Sequence, residues 1–336
     1  MAQTDPAATV ADDAATRVDI YRNMMRARLF ETRVQNLFVE GLVKGTSHLA
    51  LGQEAVAAGF AAAMQPSDLV YCTYRGHVHT LLRGAPMTGL MAELLGRGTG
   101  ICGGKGGSMH LTDAAHGAMG SYAIVGAHLP IAAGAAWAAQ ERGTGQVVTC
   151  FFGDGTTNIG AFHEALNLAV VWNLPLLFVC ENNLYMEYTP IGSVTAVANP
   201  AADRAAAYGL EGIVVDGNDP DAVLAVARAG VERARTGRGP SLIEAKTYRH
   251  SGHSRADPGA YRPADEVASW LARDPLPMYR HRLVTGGVPE EELAAVDRRA
   301  EDEVDRATQE AKAAPEPDAS LLETQLWADG GSSWRN

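Results

Sequence analysis

A carboxylate held between two glycines, GDG at 153–155, and a glutamate followed by two asparagines, ENN at 181–183, are the groups in this 336-residue chain best suited to chemistry. Asp154 and Asn183 stand 29 positions apart, about the ~30 residues of a strand–helix–strand unit. A carboxylate and an amide oxygen suit a hard cation such as magnesium, which keeps few protein ligands and takes its other oxygens from water and phosphate. Gly153 and Gly155 let the backbone approach a diphosphate, and a helix beginning just beyond offers its N-terminal amides to the same anion. The combination describes a metal-bridged diphosphate site.

The elements that must position these residues are legible from apolar patterning. VVTCFF (147–152) reads as a strand, Ala161, Phe162, Ala165, Leu166, Ala169 and Val170 mark a helix, and LPLLFVC (174–180) reads as the next strand. In a parallel unit both strands run the same way, so GDG and ENN emerge together at the carboxyl edge, where open α/β sheets bind ligands. LVYCTY near 70, GIVV (212–215) and SLIEA (241–245) add strands, with helices over Gln53–Met64, Gly126–Gln140 and 220–235. Short apolar strands alternating with helices predict a doubly wound, mainly parallel α/β sheet covered on both faces. A helix is expected from Arg17 to Glu40, ended by Gly41, and the tail is helical, with Leu293, Val296, Ala300, Val304, Ala307 and Ala311 in a stripe. The expected organisation is a flexible arm over 1–16, an α/β domain over 17–262 ending in a basic loop at 248–262, and a helical extension over 263–336.

The string GDGTTNIGAFHEALNLAVVWNLPLLFVCENN closely resembles the alpha subunits of pyruvate, branched-chain 2-oxo-acid and acetoin dehydrogenases, which use thiamine diphosphate. HLALGQEA (48–55), YRGHVHTLLRG (74–84), GGKGGSMH (103–110), IVGAHLP (124–130) and YRHSGHSRADPGAYR (248–262) agree with it in the same order. The resemblance spans Tyr21 to Tyr261 and implies a thiamine-diphosphate-binding fold. It implies that Asp154 and Asn183 bind Mg2+ through their side chains and Tyr185 through its main-chain oxygen. Tyr74, Arg75 and His253 would contact the diphosphate, with Gly153, Gly155 and Thr156 beside it. Ala123 and Val125 would hold the aminopyrimidine through their backbones, and His48 would lie near the substrate. Lys246, Arg249, Arg255 and Arg262 against the single carboxylate Asp257 make residues 246–262 a basic stretch in an acidic chain. In the family this loop orders around the cofactor, and His253 is the candidate proton donor when the acyl unit leaves for a lipoyl group.

The implied reaction is attack of the cofactor carbanion on a 2-oxo acid or acetoin, formation of an enamine, and acyl transfer to the lipoyl domain of an acyltransferase component. The glutamate that activates the thiamine ring is absent from this chain; in two-subunit relatives a beta subunit supplies it, which implies an α2β2 heterotetramer. The residues leave the substrate open. Ile159 stands where pyruvate-type relatives usually place glutamine, Thr46 where they often place an aromatic residue, and Ala256 where a loop serine is common, while Glu187 resembles acetoin-type chains. Rival readings are a non-oxidative, transketolase-like thiamine enzyme subunit, which the GHS loop disfavours, and a non-catalytic regulatory subunit, which Asp154, Asn183 and His253 disfavour.

Composition excludes several other classes. Lys plus Arg total 28 against 39 Asp plus Glu, a formal charge of −11, which opposes nucleic acid or an anionic membrane as partner. Cys72, Cys102, Cys150 and Cys180 form no CxxC pair and read as free thiols of a reducing compartment. The acidic, Ala-rich start lacks the basic and apolar blocks of a signal peptide, so a cytoplasmic location is expected. GTGICG (98–103) has the spacing of a dinucleotide loop but follows a helix rather than a strand, and GGKGGS has glycine where a phosphate loop needs Ser or Thr after lysine. No histidine pair has zinc-site spacing; His77, His79, His110 and His163 are expected to be structural, and Ser254 a plain loop serine.

Overall fold

The computed structural model describes residues 6–324. Six strands form one wholly parallel sheet: β1 (Leu69–Thr73), β2 (Ala118–Tyr122), β3 (Val148–Gly153), β4 (Leu176–Asn182), β5 (Gly212–Asp216) and β6 (Ser241–Lys246), in the order β2-β1-β3-β4-β6-β5. The central strands have apolar residues at consecutive positions because both faces are covered. Cys150, Phe152, Leu176, Phe178 and Cys180 face one core, while Phe151, Leu177 and Val179 face the other. The helices involved are α1 (Pro6–Val39), α2 (Glu54–Ala63), α3 (His77–Leu82), α4 (Met87–Leu94), α5 (His128–Glu141), α6 (Gly160–Val171) and α7 (Pro220–Arg235). Helices α5 and α6 cover the first face, and α2 and α7 the second. Each large aliphatic side chain buried in these layers contributes roughly 1.5–3 kcal/mol of transfer free energy.

Among the described residues three α-helices close the C-terminal part: α8 (Ala264–Leu271), α9 (Pro275–Thr285) and α10 (Glu290–Ala313). All six residues of the predicted α10 stripe are buried, with the helix packed on α1 and α4. The extension packs into two helical clusters shared with α1, α2, α4 and α7, apart from the two cores on the sheet faces. Helix α1 ends at Val39, and Gly41 just beyond it, with a positive φ of 74°, supplies the left-handed turn. At its other end α1 begins at Pro6, so most of the segment expected as an arm is helix; residues 1–5 lie outside the described residues. The reason is compositional: after Pro6, which suits a first turn, the segment is rich in alanine and holds neither glycine nor another proline.

Strand β2 has the sequence AMGSY, with no continuous apolar run, and no sequence pattern announces it. Its place in the sheet fixes the site. The chain leaves β1, adds β2 outside it, then returns to add β3 on the other side of β1. The crevice this reversal opens at the strands' carboxyl ends is the expected ligand position in such a sheet. Among the described residues no helix is long and apolar enough to cross a membrane.

Candidate active site

Every strand around this crevice delivers residues to one cavity of about 570 Å³. Tyr74 and Arg75 follow β1, Ala123 and Val125 follow β2, Gly153 to Thr156 lie at the end of β3, Asn183 and Tyr185 follow β4, and His253 comes from the loop after β6. His48 joins them from the segment before α2. All the sequence-predicted site residues thus meet in one place. Among the substrate-discriminating candidates, Ile159 and Glu187 line this cavity as well. Thr46 does not: it is exposed and borders a separate hollow beside Lys44 and Lys105.

Asp154 is almost fully buried. Its Oδ1 accepts the Gly155 N–H at 2.8 Å, while Oδ2 is buried with no partner. Burial pushes its pKa up to about 6 against the help of that amide and of Arg249. An unpartnered buried carboxylate oxygen of this kind is costly unless something positive meets it. Asn183, also buried, accepts the Tyr185 N–H at 3.3 Å through Oδ1. Between them Leu184 takes a positive φ of 72°, strained for a leucine, and Asn182 Oδ1 secures the turn by accepting the Leu184 N–H at 3.0 Å. Asn182 is held from below by Glu244, a fully buried carboxylate that also accepts the Ala201 and Ala202 amides. Among the described residues no group of three or more His, Cys, Asp and Glu side chains is placed to hold a metal. Asp154 and Asn183 belong to no such group; a cation that shares its shell with phosphate and water needs only a few protein oxygens.

The helix expected directly after GDG begins later. A 3₁₀ turn over Asp154–Asn158 comes first, and α6 starts at Gly160. Arg204 fixes that turn by donating to Thr157 O at 2.5 Å and to Asn158 Oδ1 at 2.9 Å. The amides nearest the crevice are therefore those of the turn.

On the opposite wall Arg75 is buried and donates to the carbonyls of Leu49 and His253. His48 packs its ring 4.5 Å from Tyr74 and 5.0 Å from His253, and its Nδ1 is buried without a partner. Burial first, then nearby Arg75 and His253, lower the His48 pKa to about 3; burial, Arg75 and Arg249 do the same to His253. Both imidazoles are neutral at pH 7. The loop 248–262 is organised by Asp257, which accepts the His253 N–H at 2.6 Å, the Gly259 N–H at 2.8 Å and the Tyr261 hydroxyl at 2.9 Å.

Several lining residues were not assigned from the sequence: Gln53, Met109, Glu181 and Met186. Glu181 is buried beside His79, 3.2 Å away, which stacks on Phe151. Its signal was position, as the last residue before the asparagine pair. Gln53 Oε1 is buried and unpartnered, and Gln53 follows His48 by five positions in the HLALGQEA string.

Comparison with known proteins agrees with this arrangement. The family described as "Dehydrogenase E1 component" matches residues 22–320. The chain is 42% identical to the alpha subunit of acetoin:2,6-dichlorophenolindophenol oxidoreductase from Bacillus subtilis (strain 168), over 92% of each chain. It is 42% identical to the subunit of the same description from Cupriavidus necator, over 94% of this chain and 95% of that one. It is 40% identical to the pyruvate dehydrogenase E1 component subunit alpha of Porphyra purpurea, over 92% of each. With a family match across most of its length and alpha subunits as its relatives, this chain belongs to the dehydrogenase E1 component family, whose members here are oxidoreductases of the pyruvate and acetoin dehydrogenase kind.

Proposed function

We propose that this chain is the alpha subunit of a thiamine-diphosphate- and magnesium-dependent pyruvate-type or acetoin dehydrogenase. It works with a beta subunit as an α2β2 heterotetramer and passes its acyl group to the lipoyl domain of an acyltransferase component. The observation that carries the reading is the unpartnered, buried Oδ2 of Asp154 in a cavity shared with Asn183 and Tyr185. That oxygen set fits magnesium, and the 153–156 backbone fits the diphosphate that the metal would bridge. When bound, thiamine diphosphate supplies the nucleophilic carbon and the electron sink.

The chain's own residues account for binding, orientation and exclusion of water. Asp154, Asn183 and the Tyr185 carbonyl would hold the cation. Tyr74, Arg75 and His253 would face the diphosphate, with the guanidiniums of Arg75 and Arg249 lining the same cavity as a positive wall. Ala123 and Val125 would present backbone to the ring end, and Val125 is exposed at the rim, where a beta subunit would complete the site. The loop 248–262 would be a lid over the anion, and His253, neutral without cofactor, would take up a proton at its ring nitrogen once a bound diphosphate offsets Arg75 and Arg249, and deliver it during acyl transfer. Glu187 in the cavity favours a neutral hydroxyketone over an anionic 2-oxo acid, so acetoin is a stronger candidate than composition alone indicates. The four cysteines are free thiols, and a cytoplasmic location is part of the same proposal.

Co-expression with a beta-type partner, followed by dye reduction with thiamine diphosphate and magnesium, tests this. Pyruvate, 2-oxoisovalerate and acetoin are compared in parallel. Turnover of one of them, with acyl transfer to a lipoyl domain, is expected. Turnover without lipoyl acceptance would return the non-oxidative reading, and bound cofactor with no turnover the regulatory one.

A further inference from the structure

Behind the cavity wall, four buried side chains form a continuous hydrogen-bonded chain that the proposed reaction does not use. Glu31 on α1 is fully buried; its Oε1 accepts the Ala50 N–H at 2.9 Å, and its Oε2 lies 2.9 Å from His77 Nδ1. His77, the first residue of α3, is also fully buried, and its Nε2 lies 2.7 Å from Ser108 Oγ. Ser108 donates to Ser47 Oγ at 3.0 Å. Ser47 precedes His48, and its carbonyl accepts the N–H of Arg255 from the lid at 2.9 Å.

Ser108, His77 and Glu31 have the order of a nucleophilic triad, but the serine is 3% exposed and its hydroxyl is directed to Ser47. A nucleophile needs access, so the chain's role lies in what its two ends hold. One end fixes Ala50 and the other Ser47, the residues on either side of the His48–Leu49 pair. His48 has no hydrogen bond of its own at Nδ1 and is otherwise held by ring contacts with Tyr74 and His253. A side chain without a polar tether keeps its place only as well as its backbone does.

We propose that Glu31 and His77 are positioning residues for His48, and that the same chain ties the lid to the substrate side of the cavity through Ser47. The part concerning catalysis rests on the proposed function; the part concerning the lid does not. Both are tested in the α2β2 assembly by His77→Gln, His48→Ala and the double variant. His77→Gln is expected to lower kcat about tenfold, the scale on which small misplacements act, with thiamine diphosphate affinity unchanged. In the His48→Ala background the further loss should be well short of tenfold, because the part that acts through that ring is already gone and only the tie to the lid remains. Additive losses in the double variant would overturn the positioning role, since a purely structural defect does not depend on His48. If His77→Gln does not fold, Ser47→Ala carries the same cycle with the same expectations. If the unaltered assembly turns over none of the three substrates, the functional reading fails by itself. Tryptic cleavage at Arg255 then decides: His77→Gln or Ser47→Ala should cleave about threefold faster or more, as a local opening does, and an unchanged rate would overturn the proposal.

Discussion

Arg75 and His253 stand 178 residues apart in the chain and are joined by one hydrogen bond, from Arg75 Nη2 to the His253 carbonyl at 2.8 Å. The same guanidinium donates through Nη1 to the Leu49 carbonyl. One buried cation therefore ties the end of β1, the His48 segment and the lid together. Arg75→Lys keeps a charge but loses the planar fork that reaches two carbonyls. It should cost about 1–3 kcal/mol of local stability for the lost charged hydrogen bond and expose the 248–262 loop to trypsin. A cleavage rate equal to that of the unaltered chain would show that the lid is held elsewhere.

Asp154 gives a pH dependence of opposite sign to an ordinary paired carboxylate. Its folded pKa of about 6 exceeds the value of about 3.9 in an unfolded chain, so the folded state holds the proton more tightly. Stability without cofactor therefore falls as pH rises from about 4 through 6 and stays reduced above that. Asp154→Asn should raise the Tm of the cofactor-free chain at pH 7, by about 1–3 kcal/mol in stability, with the gain vanishing below pH 4. On the proposed function, the same variant should lose magnesium-dependent cofactor binding, measured by calorimetry with the beta-type partner. Retained binding at limiting magnesium would remove Asp154 from the metal set.

His253→Ala is expected to spare cofactor affinity more than acyl transfer to lipoamide. The structure supplies the reason: the residue's anchors to Arg75 and Asp257 are its own carbonyl and N–H, which alanine retains. Equal loss of decarboxylation and transfer would contradict the division. Because its folded pKa is lowered to about 3, His253 opposes protonation, and its contribution to stability is lost as pH falls below about 6.5. Its ring carbon resonance should stay flat from pH 8 to 5 without cofactor and begin to titrate when a diphosphate offsets Arg75 and Arg249.

Glu93 organises the glycine-dense loop. Its buried carboxylate accepts the N–H groups of Cys102 and Gly104 at 2.8 Å, Gly106 at 2.7 Å and Gly107 at 3.0 Å. At Gly100 a Cβ would lie 2.2 Å from Glu93 Oε2, so the loop can close on the carboxylate only with glycine there. Glu93→Gln turns an amide N–H₂ toward two of these donors and should cost about 2–4 kcal/mol for two lost charge-assisted bonds. A Tm within a degree of the unaltered chain would refute that accounting.

The sequence by itself determined the alternating parallel architecture, the stripe of α10 and the convergence of Asp154 with Asn183. These rest on local periodicity and on one strand–helix–strand unit, whose geometry is set by adjacent residues. The meeting of Tyr74, Arg75, Ala123, Val125 and His253 at that edge was legible only through the resemblance. Tertiary structure alone decided the rest. AMGSY has too little apolar character to announce β2, which is a strand because β1 offers it a hydrogen-bonding edge. Residues 6–16 lack a visible apolar period, yet they continue a helix that begins at Pro6. Glu181 and Gln53 become cavity wall, Thr46 moves out of it, and Glu93 acquires four amides, each through pairings that no local pattern encodes. Buried polar groups must find partners wherever the fold places them, and only the packed chain says where that is.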